Sequence, residues 1–134
     1  MKRDGACTSL WQDTVTDFIP KQQELNNKVF DVVIVGGGIT GITTALQLQK
    51  AGKSCLIAEA HNLCFGTTGG TTAHINTFFD TPYNYIKNDF GEDNAQLVAS
   101  ATKQAIALYN QNIKAYNIDC GFEEKDGTER ISTV

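Results

Sequence analysis

Gly36, Gly38 and Gly41 stand in the spacing G-x-G-x-x-G, directly behind the apolar run "FDVVIV". That spacing suits a backbone that must lie close to the pyrophosphate of a dinucleotide. The first glycine permits a tight turn, the second lets a phosphate approach, and the third lets a helix pack on a strand. Ile39 and Thr40 fall between the glycines, where the helix that opens would present unpaired N–H groups and a partial positive charge to the diphosphate. Glu59 lies eighteen residues beyond Gly41 with Ala60 beside it, at the place where a carboxylate accepts hydrogen bonds from the hydroxyls of an adenosine ribose and disfavours a 2′-phosphate. The plainer alternatives are a βα turn without a ligand and a solvated charge at a strand end.

A second cluster follows. "GTTGGTTA", residues 66–73, supplies Gly66, Thr67, Thr68, Gly69, Gly70, Thr71, Thr72 and Ala73. Small residues allow close approach, and backbone N–H groups with threonine hydroxyls can hold phosphate oxygens, a ribityl chain or the polar edge of a flavin. The alternative is a surface loop. His61 and His74 flank it as candidates for catalysis, although a single histidine beside such a loop more often packs and hydrogen-bonds. Cys7, Cys55, Cys64 and Cys120 are scattered and never form Cys-x-x-Cys, so no metal site is expected. Cys55, inside "CLIA", reads as a small buried hydrophobe.

These residues need positioning elements. Residues 1–28 are polar and read as an irregular leader, and residues 29–134 as one α/β unit. Residues 30–35 are apolar on both faces of a strand, as in a central parallel strand covered by helices. Residues 39–50 have helical apolar spacing, and Gly52 sits where a left-handed cap is wanted. "SCLIAEA" is a second strand, which completes a strand–helix–strand unit. Thr81 with Pro82 marks a capped start for a short helix. A long helix follows from Gly91 to near Gly121, and Asp126 with Gly127 marks a C-terminal hairpin. A net charge of −4 without charge runs gives no footprint for nucleic acid, and no window is apolar enough for a membrane span. Reduced thiols and the lack of a signal segment make the cytoplasm the expected compartment.

With those residues in place, "FDVVIVGGGITGITTALQLQKAGKSCLIAEA" and "FGTTGGTTAHINT" resemble the N-terminal part of the FAD-dependent oxidoreductases of the D-amino-acid oxidase and glycine oxidase family. The leader "RDGACTSLWQD" and "YNIDCGFEEKDG" resemble the bacterial branch in which a C-terminal Rieske domain follows the flavin domain. The resemblance implies an incomplete Rossmann-like FAD-binding βαβ unit of the GR2 type. It implies Gly36, Gly38, Ile39, Thr40 and Gly41 at the pyrophosphate, Glu59 and Ala60 at the adenosine ribose, and Gly66, Thr67, Thr68, Gly69, Thr71, Thr72 and Ala73 toward the pyrophosphate and flavin. It further implies oxidation of a carbon–nitrogen bond of an amine or amino acid by hydride transfer to FAD. Gly70 falls where some relatives carry a flavin-bonding histidine, so the FAD is expected to be non-covalent.

Departures from the family bear on function. Relatives of this kind need well over three hundred residues, and "TERISTV" replaces the usual continuation, which reads as a truncation, a frameshifted end or a deliberate fragment. The catalytic residues are therefore not identified, Rieske ligands are absent, and a chain of this length is expected either to pair with another copy or another chain or to show exposed apolar surface and loose FAD binding, and not to turn over substrate alone. Two other functions fit the same motif: a non-catalytic remnant or interaction module, and half of an NAD-dependent dehydrogenase. The threonine loop speaks against the second.

Overall fold

A computed structural model of the chain describes residues 7–16, 18, 25, 27–77 and 79–125. The chain divides after His74 into two compact units, each considered by itself.

The first unit opens with a short helix α1, Leu10–Thr14, inside the stretch expected to be irregular. Its cause is a capping box. Gln12 N–H donates to Ser9 Oγ at 3.2 Å, and Ser9 N–H donates to Gln12 Oε1 at 3.0 Å, so two end donors that no helical turn could satisfy are paired. The S-x-x-Q spacing that encodes it is plain in the sequence.

β1, Val32–Val35, pairs in parallel with β2, Cys55–Ala58, in the register Val32 with Cys55 and Val35 with Ala58. Both strands are shorter than the apolar runs that contain them. One end of the register is pinned by Asp31, whose Oδ2 accepts from Ser54 N–H at 2.8 Å and from Ser54 Oγ at 2.7 Å. Asp31 N–H in turn donates to Ser54 Oγ at 3.0 Å. The other end is closed by Gly36 N–H on Ala58 O at 2.8 Å.

Helix α2, Ile39–Lys50, crosses between the strands and packs on both. Its buried Ala45 is the centre of this small core. The helix ends as expected at Gly52, with φ +79: Gly52 N–H donates to Gln49 O and Lys53 N–H to Leu48 O, both at 2.9 Å, which is the Schellman arrangement. The expected burial of β1 on both faces is not found. Val33 is 57 % and Val35 88 % exposed, while Ile34 lies toward α2, within 3.4 Å of where a side chain on Gly41 would begin. Helix α2 packs on that face, and alternation along a strand turns Val33 and Val35 the other way. Cys55, expected to be buried, is half-buried.

In the second unit α3, Tyr83–Phe90, and α4, Glu92–Ala115, pack together across the single residue Gly91 at φ +88. Pro82 is the N-cap residue of α3 in extended backbone, and not its first helical residue as expected; Thr81 lends no cap, since α3 has no side-chain cap bond. Tyr83 instead anchors the start, with its hydroxyl donating to Thr77 O and lying 3.3 Å from Thr102 Oγ1 on α4. α4 stops before the Gly121 signal. Asn117 takes φ +48, and Ile118 N–H closes on Ile113 O at 3.0 Å, so an asparagine does what glycine was expected to do. The turn of the expected hairpin, Asp126 with Gly127, lies outside the described residues, and residues 122–125 form no strand.

Candidate functional site

The glycine turn joins the end of β1 to the start of α2, and its conformation explains why side chains are excluded. Gly36 has φ +105, a backbone that L-residues rarely adopt. A Cβ on Gly41 would collide with the carbonyl oxygen of Gly36, so the third glycine of the motif is required by contact between the helix and its own entry turn. A Cβ on Gly38 would stand 3.1 Å from Thr68 Oγ1. Gly38 is also the N-cap of α2 and has no side chain to offer. The N–H groups of Ile39, Thr40 and Gly41 therefore have no partner within the helix.

Two other segments close on this turn. Glu59, just past β2, accepts from Gly37 N–H at 2.6 Å through Oε2 and from His61 N–H at 2.9 Å through Oε1. The Gly37 N–H, and next the His61 N–H, hold its carboxyl below the ordinary glutamate value. A carboxylate has about four acceptor positions, so two strong bonds leave capacity for a ribose diol. Ala60 follows it, exposed. The threonine segment then folds back. Cys64 N–H donates to Gly37 O at 2.9 Å, and Ile39 N–H donates to Thr68 Oγ1 at 3.2 Å, which places a threonine hydroxyl on the first free N–H of α2.

Within that segment Gly66–Thr68 form a 3-10 turn, with Gly66 buried at φ +87. Gly70 N–H returns to Gly66 O at 3.1 Å. Ala73 N–H donates to Thr71 Oγ1 at 3.3 Å, and Ala73 itself has φ +61. Thr67, Thr71 and Thr72 reach solvent. The structure thus brings together Gly36, Gly38, Ile39, Gly41, Glu59 and Thr68, while residues 71–73 continue away along the loop. His61 lays its ring on Phe65, with centroids 4.9 Å apart; His74 is exposed at the end of the unit.

Several residues at this site carry tasks the sequence reading did not give them. Gly37, the middle glycine of the run, both donates to Glu59 and accepts from Cys64, and a side chain there would meet Leu63. Helix α1 reaches the threonine loop through Ser9 and Trp11. Cys64 is in left-handed backbone at φ +60, and burial pushes its thiol up from the ordinary value of 9.0. All four cysteines are free. Among the described residues no group of His, Cys, Asp and Glu could hold a metal ion, and no helix is long and apolar enough to cross a membrane.

Comparison with known proteins gives the family. Residues 31–129 match the family described as FAD dependent oxidoreductase. The chain is 40 % identical over 96 residues to YhfW of Bacillus subtilis (strain 168), described as a Rieske 2Fe-2S iron-sulfur protein, covering 72 % of this chain and 19 % of that one. It is 32 % identical over 92 residues to the gamma-glutamylputrescine oxidoreductase of Escherichia coli (strain K12), covering 69 % and 22 %. The oxidoreductase OrdL of Haemophilus influenzae is 30 % identical over 95 residues, covering 70 % and 22 %. The chain therefore spans about a fifth of the length of these curated relatives. No solved structure matches. A glycine turn, an acidic strand end and a threonine loop folded onto one helix start, within a match over residues 31–129, make this chain a member of the FAD-dependent oxidoreductase family.

Proposed function

We propose that this chain holds the ADP part of a non-covalent FAD, within an oxidoreductase that removes a hydride from the carbon–nitrogen bond of an amine or amino acid. The observation that carries the reading is the convergence of Gly37, Glu59 and Thr68 on the start of α2. FAD, when bound, supplies the hydride acceptor. The protein groups do the binding: Thr40 and Gly41 N–H groups face the diphosphate, Glu59 retains acceptor capacity for the ribose diol, and the Thr68 hydroxyl, now on Ile39 N–H, is within reach of the same phosphate. Gly36 and Gly38 keep that approach open. Thr67, Gly69, Thr71, Thr72 and Ala73 lead from the phosphates toward the flavin, and Gly70 offers no side chain for a covalent link. One relative's name specifies gamma-glutamylputrescine, which supports an amine as the substrate class.

The same reading favours a small-molecule substrate and a cytoplasmic location, the latter supported by four free thiols. The exposed Val33 and Val35 support burial of that face against a second copy when the 134-residue polypeptide is prepared alone. The test of the cofactor is a titration of the chain into FAD followed by flavin fluorescence, with NAD as competitor. Saturable binding that excess NAD does not displace is expected. Absence of saturable binding, or equal displacement by NAD, overturns the reading.

A further inference from the structure

Helix α1 lies sixty residues before the threonine loop in sequence and is bonded to it at two points. The Ser9 hydroxyl donates to Gly69 O, and the Trp11 indole Nε1–H donates to Thr71 O at 2.9 Å. Gln12 reaches the same spot. A Cβ on Gly69 would stand 2.8 Å from the main-chain oxygen of Cys64 and 2.7 Å from Gln12 Nε2, the movable end of a side chain, so glycine is required there by the loop's own path, with α1 close against it. The same Ser9 oxygen accepts from Gln12 N–H as the helix cap. One hydroxyl therefore serves twice: its lone pair holds α1 in helical form, and its proton ties the loop to that helix. Within the loop the main chain closes on one carbonyl, Gly66 O, which accepts from Gly69 and Gly70 N–H, and loops with exposed backbone open readily.

We propose that α1 is a brace that fixes residues 66–73 in their folded path, with Ser9 and Trp11 as positioning residues for the FAD-binding loop; the link to FAD rests on the function proposed above. Neither residue touches the glycine turn. Their effect is to remove the cost of ordering the loop when a ligand arrives, which is how preorganisation raises affinity.

The test uses the full chain with Trp11→Phe, which keeps the ring and removes the N–H, and with Ser9→Ala and Ser9→Thr. Amide hydrogen exchange is measured without cofactor at Gly70 in the loop and at Val32 in the sheet, whose N–H is held by Ser54 O. Exchange at Gly70 is expected to quicken in Trp11→Phe and Ser9→Ala and to stay slow in Ser9→Thr, while exchange at Val32 is unchanged in all three. Unchanged exchange at Gly70, or equal acceleration at Val32, overturns the brace. FAD affinity is then expected to fall by about threefold to tenfold in the two weakened variants, the range one neutral hydrogen bond supports. A faster loop with unaltered FAD affinity overturns the positioning role. Failure of the unaltered chain to bind FAD would count against the proposed function alone, because the exchange measurement still decides the brace.

Discussion

Gly41→Ala isolates the contact on which the βα turn depends. The third residue of α2 gains from alanine in one respect, because alanine is favoured over glycine in a helix by about 1 kcal/mol. Against this, the new Cβ would collide with the carbonyl oxygen of Gly36 and come within 3.4 Å of Ile34 Cγ2. Overpacking costs about 1–3 kcal/mol when side chains can adjust. Here the obstacle is main chain, in a turn already held by Gly36 N–H on Ala58 O and by Gly37 on Glu59, so the upper end applies and the net loss is about 2 kcal/mol. Urea unfolding followed by the fluorescence of Trp11, the single tryptophan, reads the first unit directly. A lower midpoint at constant slope is expected, together with weaker FAD binding. Unchanged or increased stability would refute the reasoning, since helix propensity would then outweigh the turn contact.

Glu59→Ala and Glu59→Gln should separate the two tasks of that residue: both weaken FAD binding by at least about tenfold, whereas exchange at Gly37 N–H quickens more in the alanine variant, and equal FAD affinity would reject the ribose role. Asp31 and Glu59 are both held below their ordinary values of 3.8 and 4.5 by hydrogen bonds, from Ser54 and from Gly37 first. Their contribution to stability is therefore complete above those values and lost as pH falls through the lower folded ones, and an Asp31→Asn, Glu59→Gln double variant should show a flatter acid limb in a thermal-shift series; an unchanged limb contradicts it. Asn117→Gly should stabilise the second unit by about 0.5 kcal/mol and Asn117→Val destabilise it, by relief or increase of left-handed strain, as judged by thermal unfolding. Flavin should separate completely from the polypeptide after acid precipitation, and flavin retained in the pellet would disprove non-covalent binding.

Most of the nucleotide-binding unit was legible because its signals are local. The boundaries of α2 follow from Gly38 and Gly52, and β2 follows from "CLIA". What the sequence did not disclose is what depends on contact at a distance. The apolar content of Val33 and Val35 announces a covered face, but composition does not say which residues supply the cover. Glu59 looked like a ligand residue alone because its bond to Gly37 spans twenty-two positions. The capping box of α1 was readable, but its docking on Gly69 and Thr71 was not. At the end of α4 the glycine signal at 121 was outcompeted by Asn117, whose short polar side chain tolerates the left-handed region four residues sooner.

The partly desolvated thiol of Cys64 has a bearing on oxidative damage. A cysteine of ordinary acidity is about 1–3 % thiolate at neutral pH, and burial lowers that share further at Cys64. Peroxide attacks thiolates and not thiols. The threonine loop thus has, one residue from Phe65 and two from the buried Gly66, a sulfur held toward its less oxidisable thiol form. Cys64 is therefore expected to form sulfenic acid slowly for a residue as exposed as it is.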